Sequence, residues 1–387
     1  MLFSSIGEEL VLTDTQLGVI GGLAFSMIYA IAAFVFGHYA DRKIRRNLIA
    51  FGLIVWSLAT AASGLATDFN TLFVARFFTG VGEASLYPCA MSLLAEHYPA
   101  ESRGRALGIF GAAAAVGGGL GQGLGGYLAS VMGWREVFFL YGGVGLAMVP
   151  LILSVVEKPR SQAGRTDSSF DAIRDVVRDT RLLLVWAAGT VMIAAGIGFS
   201  AWLPTFIERY HGFDSSGAGL VSGGGILLGG VFGSLLGGAL ADRRHRVRAG
   251  GELDVSAIGA FLAVPLMLMV LTVNAVPVLV VVGLITPVAI FVFFPSLQLA
   301  MMEIVPAHRF GIAYAVQVLF LGGIGTATGP FIIGSASDAF GDLRYALMVS
   351  AAMAGVAGVL ALAAGRHLRT RAAQDPAQLV ASEGADA

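Results

Sequence analysis

The 387-residue chain is short of charge, of cysteine and of amide side chains. Asp, Glu, Lys and Arg together make up 13% of it, about half the share of a soluble domain, too little to hydrate a globular surface. Its single cysteine, Cys89, excludes an intrachain disulfide and any cysteine-based metal cluster, and no cofactor or metal site is expected. A net charge of -1 leaves no basic excess to hold nucleic acid. Residues 1–12 contain no Lys or Arg but do contain Glu8 and Glu9, so they do not read as a secretory leader. There is no Gly-x-x-x-x-Gly-Lys phosphate loop and no nucleophile paired with a base, so neither a primary pump nor an enzyme is expected. What the chain has instead is 56% hydrophobic residues and 53 glycines, the composition of a helical protein that crosses a bilayer many times.

Apolar runs long enough for a hydrocarbon core of about 30 Å fall at 17–38, 47–67, 71–95, 104–130, 135–156, 181–208, 217–241, 253–274, 276–301, 310–336 and 344–365. The connections between these eleven expected spans carry Lys and Arg very unevenly, 20 on alternate loops against 3 on the others, with Arg76 inside a span. Positive residues are retained in the cytoplasm, so this asymmetry predicts a cytoplasmic C-terminus and an N-terminus outside, in the inner membrane if the source is bacterial. The organisation expected is a membrane half over 1–156, a charged cytoplasmic linker over 157–180, a second half over 181–366, and a disordered cytoplasmic tail over 367–387.

The two halves are copies. A shift of 201 residues lays Gly18 on Gly219, Gly22 on Gly223, Gly37 on Gly238, Asp41 on Asp242 and Arg42 on Arg243 without a gap. Parallel repeats of this kind are a design of secondary transporters. Thr13 and Gln16 form a capping-box pattern that opens the first span. Repeat logic makes that span the second of its half, so the partner of 181–208 is expected upstream of Met1.

Arg76 and Glu83 lie seven residues apart, two turns along one helix face. Charge at membrane depth is costly unless paired or wetted, so both are functional candidates. Three readings stand: a proton-binding carboxylate, a structural ion pair with Arg76, and a direct substrate contact. Gly117, Gly121 and Gly125 form an i+4 stripe on which a second helix can sit. Mid-span amides are limited to Gln122, Gln298 and Gln317, too few to satisfy a sugar's hydroxyls. Tyr87, Phe199, Trp202 and Phe294 instead suit an apolar chain, with Arg76 for an anionic head, unless these aromatics simply face lipid or core.

The run Gly37-His-Tyr-Ala-Asp41-Arg42-Lys-Ile-Arg45-Arg46, repeated from Gly238 to Arg248, resembles the cytoplasmic loop signature of the major facilitator superfamily. The glycine-rich helix resembles that family's fifth, although the proline of the antiporter pattern is absent. Together with Gly82-Glu83-Ala84 and Trp202-Leu203-Pro204, the chain resembles the spinster branch along nearly its whole length, whose members move lysophospholipids or sphingolipids. The resemblance implies an all-α fold of two six-helix halves, here without the first helix. It also implies a conformational latch at Asp41, Arg42, Asp242 and Arg243. The expected activity is alternating-access transport coupled to protons, with a lysolipid-like amphipath as substrate, acting as a monomer in the lipid bilayer. A proton-coupled symporter of small organic anions and a non-transporting sensor or scaffold are the alternatives.

Overall fold

The structure, a computed structural model, describes residues 2–40, 44–98, 100–157, 174, 176–305 and 310–372. Among the described residues every regular element is helical. The first half holds α1 (Phe3–Leu10), α2 (Asp14–Gly18), α3 (Ala24–Ala40), α4 (Arg45–Ser63), α5 (Phe69–Glu83), α6 (Leu86–His97), α7 (Ala100–Met132), α8 (Trp134–Ala147) and α9 (Val149–Leu153). The second holds α10 (Thr180–His211), α11 (Ser215–Leu228), α12 (Ser234–Val247), α13 (Glu252–Thr272), α14 (Val276–Ile304), α15 (Phe310–Val318), α16 (Thr326–Phe340) and α17 (Leu343–Ala372). Short π-helical turns join α2 to α3 at Val19–Leu23, α11 to α12 at Gly229–Gly233, and α15 to α16 at Leu319–Gly325.

Nine helical runs among the described residues are long and apolar enough to cross a membrane. They correspond to nine of the eleven expected spans. The expected span 71–95 is helical but interrupted after Glu83. Pro88 accounts for the break, because it has no N–H to give the carbonyl of Ala84 and its ring crowds that turn. The chain tightens locally, with the amide of Ser85 bonded to the carbonyl of Gly82 at 3.2 Å.

Helix starts follow the local sequence. The capping box at Thr13 forms, Gln16 N to Thr13 Oγ1 at 3.2 Å and Thr13 N to Gln16 Oε1 at 3.0 Å. Asp214, at the same place in the second copy, caps α11 through the amide of Gly217 at 2.9 Å. Ahead of the Thr13 cap, Phe3, Ile6 and Leu10 give α1 an apolar stripe that seats Phe3 on the Trp202 ring at 4.8 Å. The expected boundary at 366 moves, because α17 continues helically to Ala372 and Arg369 reaches Asp254 at 3.4 Å. The expected linker over 158–173 and the expected tail over 373–387 lie outside the described residues.

The largest buried side chains cluster in the second half, around Trp186, Phe199, Trp202, Phe206 and Phe293. The halves meet along two seams, α2 and α3 on α16, and α7 on α11. Backbones touch there. A Cβ on Gly18 would lie 2.5 Å from the carbonyl oxygen of Pro330, and one on Gly223 would lie 2.4 Å from that of Gly119. The stripe of α7 that packs is therefore Gly119, Gly123 and Gly126, whereas a Cβ on Gly117 or Gly121 would meet nothing within 4 Å. Of the expected stripe Gly125 is buried, while Gly117 and Gly121 turn away from the partner helix. The repeat acquires a structural meaning: Gly18 and Gly219 occupy equivalent places on opposite seams.

Candidate functional site

Both intramembrane charges, Arg76 and Glu83, lie on α5, Glu83 as its last residue before the turn into α6. Arg76 and Glu83 are each half-buried, and no nitrogen–oxygen approach of 4.0 Å or less joins them. The Arg76 guanidinium lies 5.3 Å from the centre of the Phe25 ring, a cation–π contact rather than an ion pair. Tyr29, from α3, is within electrostatic reach of Glu83 and Tyr87. The Tyr87 hydroxyl meets that of Tyr314 at 2.5 Å, and Tyr314 comes from α15 in the other half. Discontinuous helices in transporters place polar groups where substrates and ions bind. Tyr29 and Tyr314 escaped the sequence reading, because a tyrosine in an apolar run looks like packing until its partner is known.

The other expected cavity residues separate. Phe199 and Trp202 are 2% and 0% exposed, and the Trp202 indole donates to the carbonyl of Pro330 at 3.0 Å. In this conformation they are core, a correction whose cause is the tight α10–α16 packing around them. Phe294 is half-buried against Phe291 and Phe293, with centroids 6.3 and 5.5 Å away. Gln298 is half-buried on α14. Gln122 and Gln317 each bury a side-chain oxygen that finds no hydrogen-bond partner among the described residues.

At the Arg-rich ends of the helices, here called the basic face, each half is tied within itself. Arg45 is fully buried, its Nε bonded to Glu157 at 2.7 Å and its Nη1 to the Ser92 hydroxyl at 2.7 Å. Burial pushes the Glu157 carboxyl up, but bonds from the Arg45 side chain and the amides of Arg45 and Arg46 outweigh it and hold the group below its usual range. In the second half His245 bridges Glu252 at 3.1 Å and Glu303 at 2.9 Å, and Arg248 pairs with Asp254. Asp242 and Arg243 are exposed, and among the described residues neither makes an ion pair or hydrogen bond. Asp41 and Arg42 lie outside the described residues.

At the opposite face the halves are clamped to each other. Arg209 takes Asp14 with two bonds of 2.8 Å, and the Ser337 hydroxyl adds a third at 2.6 Å. Asp338 receives the amides of Asp14 and Thr15 at 3.1 and 2.8 Å, so a carboxylate of one half caps a helix of the other. Ser4 donates to Glu208. Nearby, the Trp134 indole and then the Arg135 guanidinium hold the Glu9 carboxyl below its ordinary range. None of these partners was legible in sequence, because they are 125 to 324 residues apart.

The chain's relatives fit this geometry. It is 29% identical over 259 residues to a protein of Escherichia coli (strain K12) named "Probable L-galactonate transporter", a match spanning 62% of this chain and 56% of that protein. It is 28% identical over 380 residues to protein spinster homolog 1 of Bos taurus, covering 86% of this chain and 70% of that one. The crystal structure of a bacterial homolog to the human lysosomal transporter Spinster, inward-facing and unoccupied, superposes with a TM-score of 0.86 at 22% identity, covering 95% and 92% of the two chains. That structure shares the fold. Residues 1–330 match the Major Facilitator Superfamily, and the chain belongs to that family of transporters, with a resemblance to its spinster members.

Proposed function

We propose that this protein is a secondary transporter working by alternating access, with Glu83 as the proton-binding group and an amphipathic, lysolipid-like molecule as substrate. The observation that carries the reading is a half-buried carboxylate at a helix break, two turns from a guanidinium that does not neutralise it within 4.0 Å. An acid so placed changes its affinity for a proton when the water around it or the distance to Arg76 changes between states. A ligand shifts a conformational equilibrium only by such a difference. The scarcity of mid-span amides and the presence of half-buried aromatics such as Phe294 favour an acyl chain, with Arg76 for an anionic head.

A second reading, symport of small organic anions, is favoured by the name of the Escherichia coli relative and by Arg76 having no ion-pair partner among the described residues. The distribution of Lys and Arg supports placing the basic face and the C-terminus in the cytoplasm, with Asp41, Arg42, Asp242 and Arg243 as the latch that closes it. Purified protein reconstituted in liposomes with labelled lysophospholipid or labelled galactonate, each with and without a pH gradient, tests both readings. Gradient-driven uptake of the lysolipid supports the first, and uptake of the sugar acid alone replaces it with the second. Binding without transport of either would make the chain a sensor.

A further inference from the structure

Among the described residues, every hydrogen bond that crosses between the halves sits at the opposite-face clamp except one. That one is Tyr87 to Tyr314. On the run from α5 into α6, Tyr87 lies one turn beyond Glu83 toward the basic face, about 6 Å further along. Tyr314 sits four residues into α15, which starts from that same face. The Phe110 ring of α7 braces Tyr87 edge-on at 5.9 Å, and Tyr29 of α3 lies within electrostatic reach of both tyrosines. Four helices from both halves therefore converge just below the carboxylate. Beside Tyr29 the halves still touch, since a Cβ on Gly323 would lie 3.1 Å from that of Ala30, whereas toward the basic face a Cβ on Gly37 or Gly117 would meet nothing within 4 Å, and Asp242 and Arg243 are exposed.

We propose that Tyr87 and Tyr314 form a thin gate that separates the Glu83 site from the basic face while the thicker latch of that face is open. With the clamp closed at the far end, the site is then enclosed from both sides. The chemistry suits a gate. A phenol pair is uncharged, so parting it leaves no buried ion, and water entering from the basic face bonds both hydroxyls at once. A neutral hydrogen bond of this kind is worth little net free energy beside the doubly bonded Asp14–Arg209 pair. The gate should therefore yield first, before the clamp is released. The inference rests on the transport reading, but its test uses no substrate, so the two can fail separately.

The test places a reporter cysteine at Phe25, beside Arg76 and beyond the gate, in a Cys89→Ala background. Sealed vesicles with the basic face outward are treated with a membrane-impermeant sulfonated maleimide, and each variant is first checked for monodisperse elution. Tyr87→Phe and Tyr314→Phe should each speed labelling about fivefold, the effect of one lost neutral hydrogen bond. The double variant should be no faster than either single one, since both lose the same bond. Parental rates in both Phe variants and in Tyr314→Ala would overturn the gate. A rise confined to Tyr314→Ala would overturn the hydrogen bond as the closing contact.

Discussion

Arg45 and Glu157 show how a single position sets the stability of one end of the molecule. The guanidinium is fully buried, and Glu157 supplies one of the charge-assisted contacts that hold it there, beside that of Ser92. Glu157→Gln should cost about 2 kcal/mol, the scale of one hydrogen bond to a charged group, read as a drop in unfolding temperature in detergent. The sign of the pH dependence follows from the depressed carboxyl of Glu157. Its contribution is complete above the ordinary glutamate value, about 4.3, and is lost as pH falls through the lower folded value. Thermal unfolding scanned downward from pH 5 should show a loss in the parent that Glu157→Gln lacks. At Glu83 the consequence is functional: Glu83→Gln should abolish the dependence of transport on a pH gradient while elution and substrate binding persist. Wild-type pH dependence in that variant would leave Glu83 only an electrostatic neighbour of Arg76. Arg76 and Glu83 were legible from sequence because a charge inside an apolar run stands out. Arg45 stood in plain view inside the loop signature, but its burial depends on Glu157, 112 residues away.

Helices were legible where local rules decide them and illegible where register decides them. Capping at Thr13, the apolar runs and the 201-residue repeat all emerge from sequence, since caps and burial periods are local. Which glycines of α7 face a partner is not local, because it depends on the rotation of α7 against α11. The break after Glu83 was readable in principle from Pro88, whose missing N–H and bulky ring interrupt a helix one turn earlier. The seam itself is testable. A Cβ at Gly223 would sit 2.4 Å from the carbonyl oxygen of Gly119 and 2.6 Å from the amide nitrogen of Gly123, backbone atoms with no freedom to retreat. Gly223→Val should force α7 and α11 apart and disfavour the conformation closed at the opposite face. Distances between spin labels on those ends of the two helices should lengthen. Gly117→Val, into open space in this conformation, should leave them unchanged.

Across the whole molecule, alternating access requires that closure at one face be matched against closure at the other. Among the described residues, the opposite face holds the charge-assisted contacts between halves, and the tyrosine pair is the one hydrogen bond between them toward the basic face. Asp14 is the centre of that imbalance, accepting from Arg209 and Ser337 while its own amide donates to Asp338. These bonds cross between halves that must separate for this face to open, so they stabilise one state only and set its population. Asp14→Asn should shift the equilibrium toward opening at that face by roughly tenfold, the scale of one lost charge-assisted bond. Arg209 is 39% exposed on its side chain, so raising salt should shrink the difference between parent and variant. Arg209→Lys retains the charge but loses the two-pronged geometry, and it should fall between them. Combining Asp14→Asn with Arg209→Gln should add little to the larger single effect, because both remove one shared interaction. Distance distributions between labels at the two faces would read all four variants. If Asp14→Asn left them unchanged, the glycine seams alone would be holding the face shut, and packing rather than charge would decide which way the transporter faces.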